Sequence, residues 1–301
     1  MRLSTSTNLF NFDRSVPYEI PMEDAILTLR KAGYTYQDAN LCGMCRPGKK
    51  ESSLTQDDWL ERALRWRSLA DREGVSFLQA HAFFAVKGSN ISAGSLPDGE
   101  FGEEMMRRSV LAAEVLGVKW MVVHPVNILT DGHNDPEASF HYNLEYYGKW
   151  AEFFCKHHVG MAIENMISAG KHNSVWADID RLCALVDAIG RDDVGVCIDT
   201  GHANLSGFKA EDAIRKAGHR LRATHINDNH AAGVDEHLAP YMGNIDWAAV
   251  VKALRDIDYA HDFSFETHHL TSCFPAAIQP ELIRFSYQLG CYLLSGEAEK
   301  P

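Results

Sequence analysis

Short runs of apolar and β-branched residues alternate with longer amphipathic stretches along the whole chain. Runs of this length, bounded by polar and glycine-containing segments, are typical of strands that are buried in a sheet. The pattern therefore predicts eight strands. They lie at Leu3–Phe10, Tyr34–Asn40, Val75–Phe84, Trp120–Pro125, Gly160–Met166, Val194–Thr200, Ala223–Asn227 and Asp262–Thr267.

After each of these runs, apolar residues recur at the three- and four-residue spacing of an amphipathic helix. This spacing predicts one helix after each strand. The predicted helices are Met22–Lys31, Gln56–Arg72, Glu103–Leu116, Tyr142–His157, Ala177–Ala188, Ala210–Ala217, Trp247–Asp256 and Pro280–Leu294.

The strand–helix units follow one another without a break in composition or a linker rich in proline or serine, which predicts a single domain over residues 1–301. Parallel strands joined by right-handed helical crossovers close into an α/β (β/α)8 TIM barrel at about this chain length. The competing fold, a doubly wound open sheet, usually has a glycine-rich phosphate loop after its first strand. Thr7–Phe10 contains no glycine, so the barrel is favoured.

Ionisable side chains stand at or near the ends of six predicted strands. They are His81, His124, Glu164, Asp199, His225 and Glu266, and His202 follows three residues after Asp199. Because the C-terminal ends of all strands meet on one face of a barrel, we expect these side chains to lie close together. A histidine or glutamate at a single strand end is ordinary, but the set predicts an active site.

A divalent metal ion is the simplest explanation for the carboxylates of this set. Glu164, Asp199 and Glu266 would repel one another and lose hydration on one rim, and few cationic residues are near them in sequence. Carboxylate ligands with one or more imidazoles suit Mn, Mg or Co, whereas additional histidines favour Zn.

A long polar loop follows the seventh predicted strand. It carries Asp228, His230, Asp235 and His237. Loops rich in ligand-type side chains on the active face of a barrel are usually functional. For His230 and Glu236 individually, a solvated position in the loop remains an alternative.

Five short motifs, taken in order, resemble the xylose-isomerase-like TIM barrel superfamily, which includes sugar isomerases and epimerases, inosose dehydratases and the endonuclease IV type of DNA repair enzyme. The motifs are Ala162–Met166, Cys197–Asn204, Thr224–Asn229, Asp235–Pro240 with Gly243–Trp247, and Phe265–Thr267. Each motif alone is weak, but together they extend the resemblance over essentially the whole chain.

The resemblance implies a metal-dependent sugar or polyol isomerase or epimerase. In such enzymes a Glu, an Asp, a His and a Glu hold the metal, and the matching positions are Glu164, Asp199, His225 and Glu266. The two glutamates would also move the proton, through an enediolate that the metal stabilises. Residues expected to contact the substrate are His202, His124, His81, Asn165, His237 and Phe10.

Two alternatives remain open from the resemblance. A lyase or dehydratase acting on a keto sugar or inosose would use the same proton removal. A multi-zinc phosphodiesterase of the endonuclease IV type is the other alternative, because five residues match the additional zinc ligands of those enzymes. These residues are His81, His124, His202, Asp235 and His237. A sugar-binding subunit without activity is disfavoured because all expected metal ligands are present.

Charge and composition narrow the choice of partner. The net charge is −12, from 41 acidic and 29 basic residues, and no cluster of lysine and arginine forms a basic stripe. A nucleic-acid partner is therefore disfavoured. The seven cysteines are scattered and no signal peptide or membrane span is evident, so we expect a cytoplasmic protein with free thiols. A homo-oligomer is left open.

Overall fold

The computed structural model describes residues 1–9, 21–47, 52–85, 90–92, 95–170, 172–271 and 274–296. Its strands are β1 (Arg2–Thr5), β2 (Tyr36–Asn40), β3 (Ser76–His81), β4 (Asn90–Ser92), β5 (Trp120–Val123), β6 (Asn127–Thr130), β7 (His133–Asp135), β8 (Gly160–Glu164), β9 (Val194–Asp199), β10 (Leu221–His225) and β11 (Asp262–Phe265). Its α-helices are α1 (Met22–Ala32), α2 (Trp59–Glu73), α3 (Gly99–Leu116), α4 (Pro136–Lys156), α5 (Ile179–Ile189), α6 (Thr200–Leu205), α7 (Ala210–Ala217), α8 (Trp247–Asp256) and α9 (Gln279–Leu294).

Eight parallel strands close into a barrel. Six of them form one sheet in the order β10-β9-β8-β5-β3-β2, and β1 pairs in parallel with β11. Two parallel bridges join the pieces, one between Ser6 and Asp38 and the other between Ile226 and Phe265. The strand order around the barrel follows the chain order, which confirms the predicted (β/α)8 fold.

The alternation of side chains along the strands builds the site on top of an apolar layer. Val122, Ala162, Cys197 and Ala223 form a small buried cluster inside the barrel. Since side chains two positions apart point to the same side of a strand, the next residues on this side form a second layer nearer the C-terminal ends. They are His124, Glu164, Asp199 and His225. Closely packed apolar side chains thus lie directly beneath the polar layer.

Two predicted helices begin at least four residues earlier than expected. The first, α3, begins at Gly99 and not at Glu103. The second, α4, begins at Pro136 and not at Tyr142. Asp135 caps this helix by accepting hydrogen bonds from the amides of Glu137 and Ala138, and proline is well suited to the first helical position. The amphipathic pattern alone contains no information about this cap.

A small additional sheet was not predicted. β6 and β7 form an antiparallel hairpin, and β4 pairs in parallel with β6. Asp131 and Gly132 both adopt positive φ angles at the turn, as two-residue hairpin turns require. The sheet brings Asn90 and Asn127 to the C-terminal face of the barrel. None of the described helices combines the length and the apolar character that a membrane span requires.

Candidate metal centre and active site

Four carboxylate and imidazole side chains meet at the floor of the C-terminal face. They are Glu164, Asp199, His225 and Glu266, and each has a potential ligand atom within 4.8 Å of those of the others. His225 Nδ1 lies 2.6 Å from Glu164 Oε1 and 3.4 Å from Glu266 Oε2. The structure therefore brings together the four residues that the sequence predicted as metal ligands.

Two further histidines approach Glu164 from the neighbouring strands. His124 Nε2 lies 2.9 Å from Glu164 Oε2 and 3.0 Å from His81 Nε2. The distance from His81 Nε2 to Glu164 Oε2 is 3.6 Å. These three residues form a second group of potential ligands in which Glu164 is shared.

A third group comes from α6 and the loop after β10. Asp235 Oδ2 lies 3.0 Å from His237 Nε2 and 3.6 Å from His202 Nε2.

The predicted polar loop divides into functional and structural positions. Asp235 and His237 face the cavity, whereas Asp228 accepts a hydrogen bond from Trp247 Nε1 and is fully buried. The exposed His230 pairs with Glu236.

Backbone carbonyls orient three of the imidazoles in the same way. The Nδ1 atoms of His81, His202 and His237 lie 2.8–2.9 Å from the carbonyl oxygens of Ala82, Asn165 and Glu266, respectively. A carbonyl oxygen can only accept, so Nδ1 carries the proton and the lone pair of the neutral ring is on Nε2. This arrangement is common for metal-ligating histidines.

The electrostatics of the floor favour a bound cation. Glu164 and Asp199 are fully buried, and no lysine or arginine of the described residues forms an ion pair with these two carboxylates or with Glu266. Burial, assisted by the charges of Glu266 and Glu164, raises the pKa of Asp199 to about 7. The donor set of carboxylates and imidazoles fits a divalent metal ion, whose charge would offset this repulsion.

Without a metal ion, protonated imidazoles offset part of the repulsion between the carboxylates. Burial by itself would lower the pKa of His225, but the charges of Glu266 and Glu164 outweigh it and raise the pKa well above the usual value. For His237 burial is likewise outweighed, chiefly by Asp235, and the pKa rises to about 10. A metal ion would therefore have to displace protons from these rings.

Asn165 holds the barrel rim and does not face the cavity. It is fully buried, its Oδ1 accepts a hydrogen bond from the Asp199 amide, and its Nδ2 donates to the Asp199 carbonyl oxygen. Both ends of its amide are used within the protein, and its predicted contact with a substrate stays a prediction. Phe10, also predicted to contact a substrate, lies outside the described residues.

A cavity of about 400 Å³ opens above the floor. Its lining includes the predicted residues His81, His124, Glu164, His202, Asp235, His237 and Glu266. Five amide side chains, from Asn8, Asn40, Asn90, Asn127 and Asn173, also line it. Among the described lining residues, the single arginine or lysine is Arg46, whose guanidinium stacks over Phe84. Phe84 in turn stacks on His124 with a centroid distance of 4.8 Å.

Several residues of this region were missed by the sequence analysis. His268 Nε2 lies 3.3 Å from Glu266 Oε1, and Asp38 Oδ2 lies 3.7 Å from His225 Nε2. Arg46 and Asn40 line the cavity. Asp38 and Asn40 belong to a strand that was predicted as buried, and two polar residues at alternate positions of such a strand are a signal that could have identified them.

Comparison with known proteins places the chain among barrels of related sequence. Residues 28–289 match a family model described as xylose isomerase-like TIM barrel. The chain is 27% identical over 276 residues to the uncharacterized protein y4fM of Sinorhizobium fredii, covering 83% of this chain and 82% of that protein. It is 37% identical over 117 residues to a D-psicose 3-epimerase of Enterocloster bolteae, covering 39% and 35%. A probable endonuclease 4 of Mycobacterium ulcerans is 24% identical over 206 residues, covering 64% and 77%.

Solved structures share the fold at lower sequence identity. A D-psicose 3-epimerase in the presence of D-fructose superposes with a TM-score of 0.77 at 18% identity, covering 98% of this chain and 100% of that one. The IolI protein with a bound zinc atom gives a TM-score of 0.72 at 16% identity, covering 98% and 100%.

Proposed function

Since this chain belongs to the xylose isomerase-like TIM barrel family, we propose that it is a metal-dependent isomerase or epimerase that acts on a sugar or polyol. The observation that carries the proposal is the group of four potential ligands at the floor of an open cavity. The relatives named as sugar epimerases support the same conclusion.

The cavity has properties that suit a small substrate rich in hydroxyl groups. Its volume of about 400 Å³ lies within the usual range of small-molecule sites. Each of its amide side chains offers both a hydrogen-bond donor and an acceptor, as hydroxyl groups also do. His81, His202 and His237 line the same cavity as these amides and are the candidates to position individual hydroxyls.

Glu164, Asp199, His225 and Glu266 would hold the divalent ion. When bound, such an ion polarises substrate oxygens and thereby acidifies the C–H bond next to a carbonyl group. Glu164 and Glu266 both line the cavity, and we assign the proton transfer to these two carboxylates. One glutamate removes the proton from the substrate carbon, and the other returns a proton to the same or the adjacent carbon.

Neutral replacements of the two glutamates test this proposal. In Glu164→Gln and Glu266→Gln we expect exchange of solvent deuterium into keto sugars to fall by about 10²–10⁴-fold, the usual contribution of a general acid or base. Glu145→Gln, which removes an exposed carboxylate paired with Lys149, serves as the control and should exchange normally. Exchange at the rate of the unmodified protein in both site variants would exclude the proposed acid–base pair.

The three groups of ligands support a second candidate function, a multi-zinc phosphodiesterase. Glu164 is common to two of the groups, and His202, Asp235 and His237 form the third. This candidate predicts about three zinc ions per chain and nicking of abasic duplex DNA, whereas the leading proposal predicts sugar exchange and no nicking. The net charge of −12 argues against a polyanionic partner. Elemental analysis combined with both assays distinguishes the two.

A further inference from the structure

We propose that Asp38 is a positioning residue that fixes the ring of His225 for metal binding; this inference rests on the metal-dependent function proposed above. The two nitrogens of the His225 ring face different carboxylates. Nδ1 faces Glu164 and Glu266, and Nε2 lies 3.7 Å from Asp38 Oδ2. His225 and Asp38 are almost completely buried, so solvent cannot replace either partner.

His225 differs from the other oriented imidazoles of the site. In His81, His202 and His237 the nitrogen that carries the proton is Nδ1, and a backbone carbonyl accepts it. In His225 it is Nδ1 that faces the carboxylate ligands, so when Nδ1 binds the metal, the proton of the neutral ring has to reside on Nε2. Among the described residues, Asp38 is the acidic side chain that faces Nε2, and at 3.7 Å it acts on this nitrogen through its charge and not through a hydrogen bond.

Neutral donors from two other strands hold Asp38 in place. Its Oδ2 atom accepts hydrogen bonds from Gln79 Nε2 at 2.7 Å and from Ser264 Oγ at 2.9 Å. Gln79 Nε2 also donates to the carbonyl oxygen of Thr224, the residue before His225. Four strands, β2, β3, β10 and β11, thus fix the distance between the Asp38 carboxylate and the imidazole.

A purely structural role does not account for the charge of Asp38. An asparagine oxygen could accept the same two hydrogen bonds, and burying a carboxylate without a cationic partner is costly. Among the described residues no lysine or arginine forms an ion pair with Asp38. The property that a carboxylate adds here is a negative charge beside Nε2, which favours the tautomer with its proton on Nε2 and leaves the Nδ1 lone pair for the metal.

Metal affinity measures this role directly. In Asp38→Asn we expect the affinity of the metal-stripped full-length protein for Mn²⁺ and Zn²⁺, measured by competition with a chelator, to fall by about 10–100-fold, as for other outer-shell partners of metal ligands. Asp262→Asn is the matched control, because Asp262 is equally buried but pairs with Arg2. The metal affinity of Asp262→Asn should stay within about twofold of that of the unmodified protein. This change is much smaller than the one expected for Asp38→Asn.

Two further observations keep the inference testable if Asp38→Asn folds poorly. Nitrogen-15 spectra of histidine-labelled, metal-loaded protein should show the His225 proton on Nε2, and a proton on Nδ1 would overturn the inference without any variant. Unchanged affinity in a folded Asp38→Asn would also overturn it. Asp38→Asn could bind metal more weakly while the unmodified protein exchanges no solvent deuterium into sugars. This result would contradict the proposed function but support the present inference.

Discussion

Single residues of the site are held in position by hydrogen bonds from neighbouring groups. Asp199 is the clearest case, because its Oδ1 accepts a hydrogen bond from the His202 amide and its Oδ2 accepts one from Asn227 Nδ2. Asn227 in turn packs against Gly201, where an added Cβ would come within 1.9 Å of Asn227 Oδ1. The position of the Asp199 carboxylate therefore depends on the absence of a side chain at residue 201.

Gly201→Ala should weaken metal binding although residue 201 is not a ligand. The new methyl group would displace the Asn227 amide and remove the hydrogen bond that orients Asp199 Oδ2. We expect a loss of metal affinity of about tenfold, at the low end for outer-shell partners, measured by chelator competition. Gly148→Ala is the control, since a Cβ there meets nothing within 4 Å in helix α4. Equal affinities in the two variants would show that Asn227 does not position Asp199.

The raised pKa values of the imidazoles predict that metal binding releases protons. His225 and His237 are protonated near neutral pH in the metal-free protein because neighbouring carboxylates outweigh burial. A metal ion binds only the neutral ring, so affinity should increase as the pH rises from 6 to 8. Calorimetric titration in two buffers with different ionisation enthalpies measures the number of protons released. A heat that does not depend on the buffer would contradict the prediction.

The sequence identified those site residues that stand at strand ends, and it missed those whose role depends on packing. Glu164, Asp199 and His225 follow apolar runs, and the rule that barrel chemistry lies at C-terminal strand ends was enough to group them. Asp38 lies inside a strand, and only the closed barrel brings it opposite His225. Asn165 was assigned to the substrate because a polar residue next to Glu164 gives no sign of which way it points.

At the scale of elements, Asp199 joins a strand to a short helix. It is the last residue of β9 and the N-cap of α6, which carries His202. The same side chain is therefore a candidate metal ligand and a helix cap. The strand, the cap and His202 form one local unit, so a change at Asp199 has two separable consequences.

Two substitutions at Asp199 separate these consequences. Asp199→Asn and Asp199→Ala both remove the charged ligand, so both should lose metal affinity to a similar extent. Only asparagine keeps a side-chain oxygen for the His202 amide, and we expect the metal-free Asn variant to be more stable than the Ala variant by about 0.5–2 kcal/mol, the usual value of an N-cap. Urea unfolding measures the difference. Equal stabilities would show that the cap contributes nothing to α6.

Strands and helices with long periodic patterns were predicted well, and short elements were not. β4 and β7 have three residues each and α6 has six, which is too few for a periodic pattern to be recognised. The Asp131-Gly132 pair was a usable signal for the β6–β7 hairpin. The start of α4 depends on the cap at Asp135, which is a local hydrogen-bond arrangement and not a repeat of apolar residues.

At the scale of the whole molecule, closure of the barrel brings residues that are far apart in sequence together in one site. Glu164 and Glu266 are 102 positions apart in sequence, yet both contact the His225 ring because β8, β10 and β11 lie in one closed barrel. The alternation of strands and helices predicted this topology, since parallel strands with short crossovers have few other arrangements. The distances between ligand atoms and the shape of the cavity follow from tertiary packing, which periodicity does not encode.

Titration of the metal-stripped protein with Mn²⁺ and Zn²⁺ tests the central claim most directly. Glu164→Ala is titrated in parallel, because Glu164 belongs both to the group of four ligands and to the group with His81 and His124. We expect the unmodified protein to bind at least one ion per chain. Binding should also raise its thermal stability, because a ligand that binds only the native state stabilises that state. Glu164→Ala should bind at least about tenfold more weakly because it lacks a ligand of the principal group. No binding by the unmodified protein, or equal binding by the variant, would contradict the account.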